Sequence, residues 1–148
     1  MIFFGIFSRR EKHKKWYHQF CVSQKSLNEN CLACVAILLK FFKKDINFKK
    51  LKRDFPAHLA DTTSENIIAL CCENGIIAKP FSCSAIELNK IKLPCLLYWD
   101  LNRYVVLISI ENDEYCVLDP AKSRIEYNFN DFECFFCEEG MLIESALQ

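Results

Sequence analysis

The sequence predicts an α+β fold, with helices first and an antiparallel sheet second. Three observations lead there. Apolar residues recur at helical spacing over 31–42 and again through DTTSENIIALCCENG. Strand-length apolar runs then take over, in IIAKPF (76–81), PCLLYWD (94–100), RYVVLISI (103–110) and YCVLDP (115–120). No linker, repeat or low-complexity stretch interrupts them after Phe20. With 148 residues, 51% of them hydrophobic and 14% aromatic, the chain has enough apolar mass for one real core and too much for disorder.

In chain order, residues 1–18 read as an N-terminal appendage and residues 19–148 as the domain. The appendage opens with MIFFGIF and continues with a basic run, Arg9 to Lys15, taken as a solvated tail in preference to a site for acidic lipid. The helix over 31–42 has Lys43 and Lys44 at its carbonyl end, where cations suit the helix dipole. A short helix over 47–54 stops before Pro56. In the third helix Thr62 is the expected cap, Glu65 completes a capping box and Gly75 ends the helix. IIAKPF is a strand and SAIELNKI a short helical turn. Two buried strands follow, then a turn at NDE and a returning strand, with RIEY extending the sheet. Asn130 is expected to cap a last helix over 131–136, and GMLIES closes the sheet.

Composition excludes several classes. Nineteen basic and nineteen acidic residues leave no net charge, so there is no electrostatic case for nucleic acid. A signal peptide puts positive charge before an apolar core, and here the order is reversed. Seven apolar residues also fall far short of the roughly 20 needed to span a bilayer. The ten cysteines are therefore read as reduced, cytosolic and mostly core hydrophobes, with the adjacent Cys71 and Cys72 pointing in different directions. Two CxxC pairs, Cys31/Cys34 and Cys134/Cys137, have zinc-ligand spacing but sit in what look like helix starts and faces rather than tight turns, so no metal is expected. No other cofactor is implied. With three glycines and no phosphate-binding loop, the chain has no machinery to drive transport alone.

The stretch QKSLNENCLACVAILLKFF (24–42), followed by LPCLLYW, RYVVL, DPAKSR, FNDFECFF and GMLI, resembles the papain-like cysteine peptidase domain of bacterial peptide-export ABC transporters. That family removes double-glycine leader peptides from bacteriocins. Its pattern is a glutamine, an Asp-Cys-Gly-x-Ala-Cys-Leu helix start, a Leu-Pro-x-Ile, a His-Phe-x-Val-Leu strand and an Asp-Pro-Ala strand. The resemblance covers roughly residues 20–144 and implies a papain-like fold with N-terminal helices packed on a C-terminal sheet.

The departures from that pattern carry the functional expectation. The ungapped match puts Asn30 at the nucleophile position and Arg103 at the histidine position. Gln24, at the oxyanion position, and Asp119 keep their identities. An amide cannot form the covalent acyl intermediate, and a guanidinium has no lone pair to accept a proton. Two of three triad roles are thereby vacant, so no catalytic residue is expected. Asp119 would then need a new partner, and Arg103 on the neighbouring strand is expected to form an ion pair with it.

A competing reading keeps the chemistry. A one-residue insertion after Gln24 would place Cys31 at the nucleophile position, where a helix N-terminus favours the thiolate. That reading still lacks a base, since His13, His18 and His58 lie on no strand near Asp119. The resemblance otherwise implies a groove that recognises an exported peptide or unfolded protein, beside the transmembrane and nucleotide-binding parts of an exporter, at the cytoplasmic face of the bacterial inner membrane. The chain itself would have no membrane span, as either an exporter's N-terminal domain or a free-standing relative. Tyr98, Trp99 and Tyr104 are candidate contacts for the bound chain, although alternation along the strand makes at least one of Tyr98 and Trp99 ordinary core. A third reading is a stand-alone interaction or immunity-like protein that reuses the fold.

Overall fold

The computed structural model describes residues 27–54 and 63–146. The elements run α1 (Leu27–Phe41), α2 (Phe48–Asp54), α3 (Ser64–Glu73), β1 (Ile76–Ser82), a 3₁₀ turn (Ile86–Lys90), β2 (Cys95–Trp99), β3 (Arg103–Glu111), β4 (Glu114–Asp119), β5 (Ser123–Asn128), α4 (Phe129–Phe135) and β6 (Phe136–Ser145). The α+β expectation holds. The six strands form one antiparallel sheet in the order β1-β6-β2-β3-β4-β5. The final strand therefore inserts between β1 and β2.

Both sheet faces are covered, which explains why β2 and β3 read as unbroken apolar runs. Leu96, Val106, Ile108, Leu118, Met141 and Ile143 point to the side occupied by α1, α2 and α3. Their neighbours Cys95, Leu97, Trp99, Val105, Leu107 and Val117 point the other way, onto Leu88 of the 3₁₀ turn and Phe132 of α4. Successive side chains on a strand face opposite sides, so a strand buried on both faces has no polar alternate.

The helix ends follow from local chemistry, with small corrections to the expectations. Helix α1 closes with Lys43 N–H on the Lys40 carbonyl (3.1 Å) and Lys44 N–H on that of Leu39 (2.9 Å). Lys43 takes the left-handed conformation at φ 58° that this closure requires. Helix α3 is capped by Thr63, not Thr62, whose hydroxyl accepts the Asn66 N–H at 3.2 Å. Thr62 itself lies outside the described residues, and Glu65 is the second residue of the helix rather than the partner in a capping box. At the other end Gly75 does follow the helix, at φ 91°. Helix α4 is capped by Asn128, not Asn130, through the Asp131 N–H at 2.8 Å. It ends at Phe135, so Cys137 lies on β6 and not on a helix face. The β3–β4 turn is made by Asn112 and Asp113, both at positive φ, the two-residue geometry whose twist suits a hairpin.

The cysteines sort by position. All nine among the described residues are free thiols, with Cys71 buried and its neighbour Cys72 exposed. Cys31 and Cys34 are in the helix-side core, whereas Cys134 is exposed and the Cys137 thiol accepts the Leu101 N–H at 3.2 Å. No group of three or more potential metal ligands occurs among the described residues. Nor is any described helix long and apolar enough to cross a membrane.

Candidate functional site

Helix α1 runs against β3, and its first turn meets that strand at Tyr104. Asn30 is the contact, and it is buried (1% exposed). Its Nδ2 donates to the Tyr104 carbonyl at 3.0 Å, and its Oδ1 accepts the Tyr104 N–H at 2.6 Å. The pairing of β3 with β4 begins at Val106–Leu118 and does not reach Tyr104. The Asn30 amide thus acts as a one-residue strand partner, presenting a donor and an acceptor side by side as a peptide group does. One helical turn on, the Cys34 thiol donates to the same carbonyl at 3.3 Å.

Arg103 precedes Tyr104 and faces the other side of the sheet, with Val105 and Trp99. Its Nη2 lies 2.9 Å from Asp119 Oδ2, with the arginine side chain 14% exposed and the aspartate fully buried. The ion pair expected between these residues forms. The other carboxylate oxygen accepts the Ala121 N–H at 2.9 Å. Burial nevertheless pushes the Asp119 carboxyl above its ordinary range, opposed by the Ala121 hydrogen bond and by the charges of Arg103 and Lys122. Desolvation therefore outweighs the attraction of the guanidinium here.

Cys31 is fully buried in the helix-side core, packed near Cys71. Burial drives its thiol far above the ordinary value, with the neighbouring Cys71 adding to the effect. That is the opposite of what a nucleophile needs. Gln24 and the three histidines lie outside the described residues.

The three aromatic candidates separate. Trp99 is core: it is fully buried, stacks on Phe135 at 5.5 Å and meets Phe132 edge-on at 5.2 Å. It is withdrawn as a contact for a bound chain. Tyr98 and Tyr104 are cross-strand partners whose rings pack at 5.3 Å, and both are half-buried. They line an open cavity of about 340 Å³ together with Phe81, Glu139, Gly140 and Met141, with Ser64 and Pro80 at its edge. Gly140 is required there. A Cβ at this position would come 2.3 Å from the Leu96 carbonyl oxygen and 2.7 Å from the Phe81 ring. Phe81, Glu139, Gly140 and Met141 had no place in the sequence-based site, and the scarcity of glycine was the only signal pointing at any of them.

The chain belongs to the peptidase C39 family, whose model matches residues 19–147. It is 30% identical over 111 residues to the probable microcin-H47 secretion/processing ATP-binding protein MchF of Escherichia coli, covering 74% of this chain and 16% of that protein. It is also 30% identical over 109 residues to the colicin V secretion/processing ATP-binding protein CvaB of Escherichia coli, covering 73% and 16% respectively. The chain thus spans about a sixth of the length of these relatives. Among solved structures, its fold is similar to a double glycine motif protease from an AMS/PCAT transporter in complex with the leader peptide (TM-score 0.76, 21% identity, 84% of this chain and 90% of that one). It is likewise similar to the peptidase domain of Streptococcus ComA (TM-score 0.71, 14% identity, 85% and 97%).

Proposed function

We propose that this member of the peptidase C39 family binds a peptide or unfolded segment without cutting it, as a non-catalytic recognition domain of a bacterial peptide-export system. The observation that carries this reading is the engagement of Asn30. The residue at the nucleophile position of the family pattern is an amide, buried and bonded in both directions to the backbone of Tyr104. It has no nucleophilic atom, and one of its amide hydrogens and its oxygen are engaged by the Tyr104 backbone at 3.0 Å and 2.6 Å. Arg103, at the general-base position, is held as a cation beside Asp119 and has no lone pair to accept a proton.

The active alternative, with Cys31 as nucleophile, is disfavoured by the same geometry. A fully buried thiol with a raised pKa offers neither access nor thiolate. What remains for the fold is the groove edged by Tyr98 and Tyr104, where an extended chain can be held by backbone hydrogen bonds and side-chain pockets. Cargo recognition beside the transmembrane and nucleotide-binding parts of an exporter, at the cytoplasmic face of the inner membrane, is the role that fits such a groove.

The test is binding. A fluorescently labelled double-glycine leader peptide titrated with the full chain should give a saturable rise in anisotropy, weakened by Tyr98→Ala. Absence of saturable binding to any leader peptide, with the exporter itself captured instead, would replace this reading by that of an interaction protein directed at the exporter.

A further inference from the structure

The groove beside Tyr98 and Tyr104 has a composition more specific than peptide binding requires. Strand alternation places Tyr98, Tyr104, Glu139 and Met141 on the helix-facing side of the sheet, and the groove opens where they meet. The two tyrosine rings are tilted at 52° to each other, while Phe81, which borders the groove, packs its ring on the opposite face of the sheet. Glu139 is exposed at the rim and close enough to Tyr104 for its charge to raise the phenol's pKa, along with burial, the larger cause, which takes it to about 12. The phenol therefore stays neutral, and Glu139 is the one charged side chain among the lining residues.

We infer that this groove is a subsite for a basic side chain, lysine or arginine, of the bound peptide. The inference rests on the recognition reading above only in taking the bound cation to belong to a peptide. Aromatic faces carry negative charge density, and a carboxylate at the rim completes a box for a cation. The groove is open, so a long side chain enters with its stem along the Tyr98 and Tyr104 rings and its charge toward Glu139. Asn30 is a positioning residue for this subsite: by fixing the Tyr104 backbone it fixes where that ring stands against Tyr98.

The test uses ¹⁵N-labelled full chain titrated with N-acetyl-arginine methylamide, its neutral citrulline analogue and the glutamate derivative. The arginine compound should shift the Tyr98, Tyr104 and Gly140 amides saturably, and citrulline should bind about fivefold more weakly, the scale of one cation–π contact. Glu139→Gln, a change at an exposed position, should weaken arginine and leave citrulline unchanged, narrowing the gap between them. Equal binding of arginine and citrulline, no response to Glu139→Gln, or no shift with any compound overturns the subsite. Stronger shifts with the glutamate derivative overturn it as well, and assign the groove to an anion at the start of α3. A leader peptide that binds while arginine does not removes the subsite and leaves the recognition reading standing; the converse removes the recognition reading alone.

Discussion

Asn30 and Tyr104 are joined twice, by an amide N–H to a carbonyl at 3.0 Å and by a backbone N–H to an amide oxygen at 2.6 Å. Asn30 therefore contributes to stability. It ties the start of α1 to a stretch of β3 that β4 does not reach.

Asn30→Ala removes both bonds and leaves the buried amide and carbonyl of Tyr104 short of partners, apart from the Cys34 thiol. The expected loss is about 2–4 kcal/mol, from desolvated groups at about 1–3 kcal/mol each. Urea denaturation reads it as a lower midpoint at unchanged slope. A loss under about 0.5 kcal/mol contradicts the account, because a buried pair of that geometry cannot be so cheap to remove.

Arg103→Leu strands a fully buried carboxylate and is expected to destabilise the chain by about 3 kcal/mol, the range for breaking a buried pair from one side. The double change Arg103→Leu with Asp119→Leu should lose clearly less than the single one. Thermal unfolding of the two variants decides it, and equal losses would show that the pair does not act as a unit.

The Asp119 carboxyl gives a pH signature. Burial raises its folded pKa above the ordinary 3.8, so between 3.8 and the folded value the native chain binds more protons than the unfolded one. Its contribution to stability is complete below 3.8 and is lost as pH rises through the folded pKa. The difference in unfolding free energy between the wild type and Asp119→Asn should therefore shrink with rising pH across that window. A constant or growing difference would mean that Arg103, not burial, governs the carboxyl.

Thiol reactivity separates Cys31, the alternative nucleophile, from the surface cysteines. Under iodoacetamide near neutral pH, Cys72 and Cys134, both exposed, should be alkylated first. Cys31, fully buried with a raised pKa, should stay unmodified until the chain unfolds. Peptide mass spectrometry reads the order, and early labelling of Cys31 would restore it as a candidate nucleophile.

Gly140→Ala should destabilise by about 1–3 kcal/mol, the usual cost of overpacking. Its Cβ would meet the Leu96 carbonyl oxygen, which belongs to the β2 ladder and cannot swing aside as a side-chain tip can. Thermal unfolding measures the loss; a neutral effect would mean that β6 can shift at this point.

The strands and most helices were legible because each satisfies one local rule: an apolar period, a turn residue or a cap. Caps were misplaced by one or two residues where neighbours compete for the same role. Thr63 took the place of Thr62, and Asn128 that of Asn130, since the cap is whichever residue is extended when the first turn forms. The insertion of β6 between β1 and β2 leaves no local mark. The Arg103–Asp119 pair could be anticipated because both partners are side chains of opposite charge. The Asn30–Tyr104 pair could not, because one partner is backbone, which looks the same at every position of a sequence. Trp99 was lost as a contact because α4 covers the second face of the sheet, a fact of tertiary packing.

The most direct measurement of the central claim is incubation of the full chain with a double-glycine leader peptide, followed by mass spectrometry of the peptide. The account predicts that the peptide is recovered intact under conditions where it is bound. Cleavage after the two glycines that disappears in Cys31→Ala would contradict it.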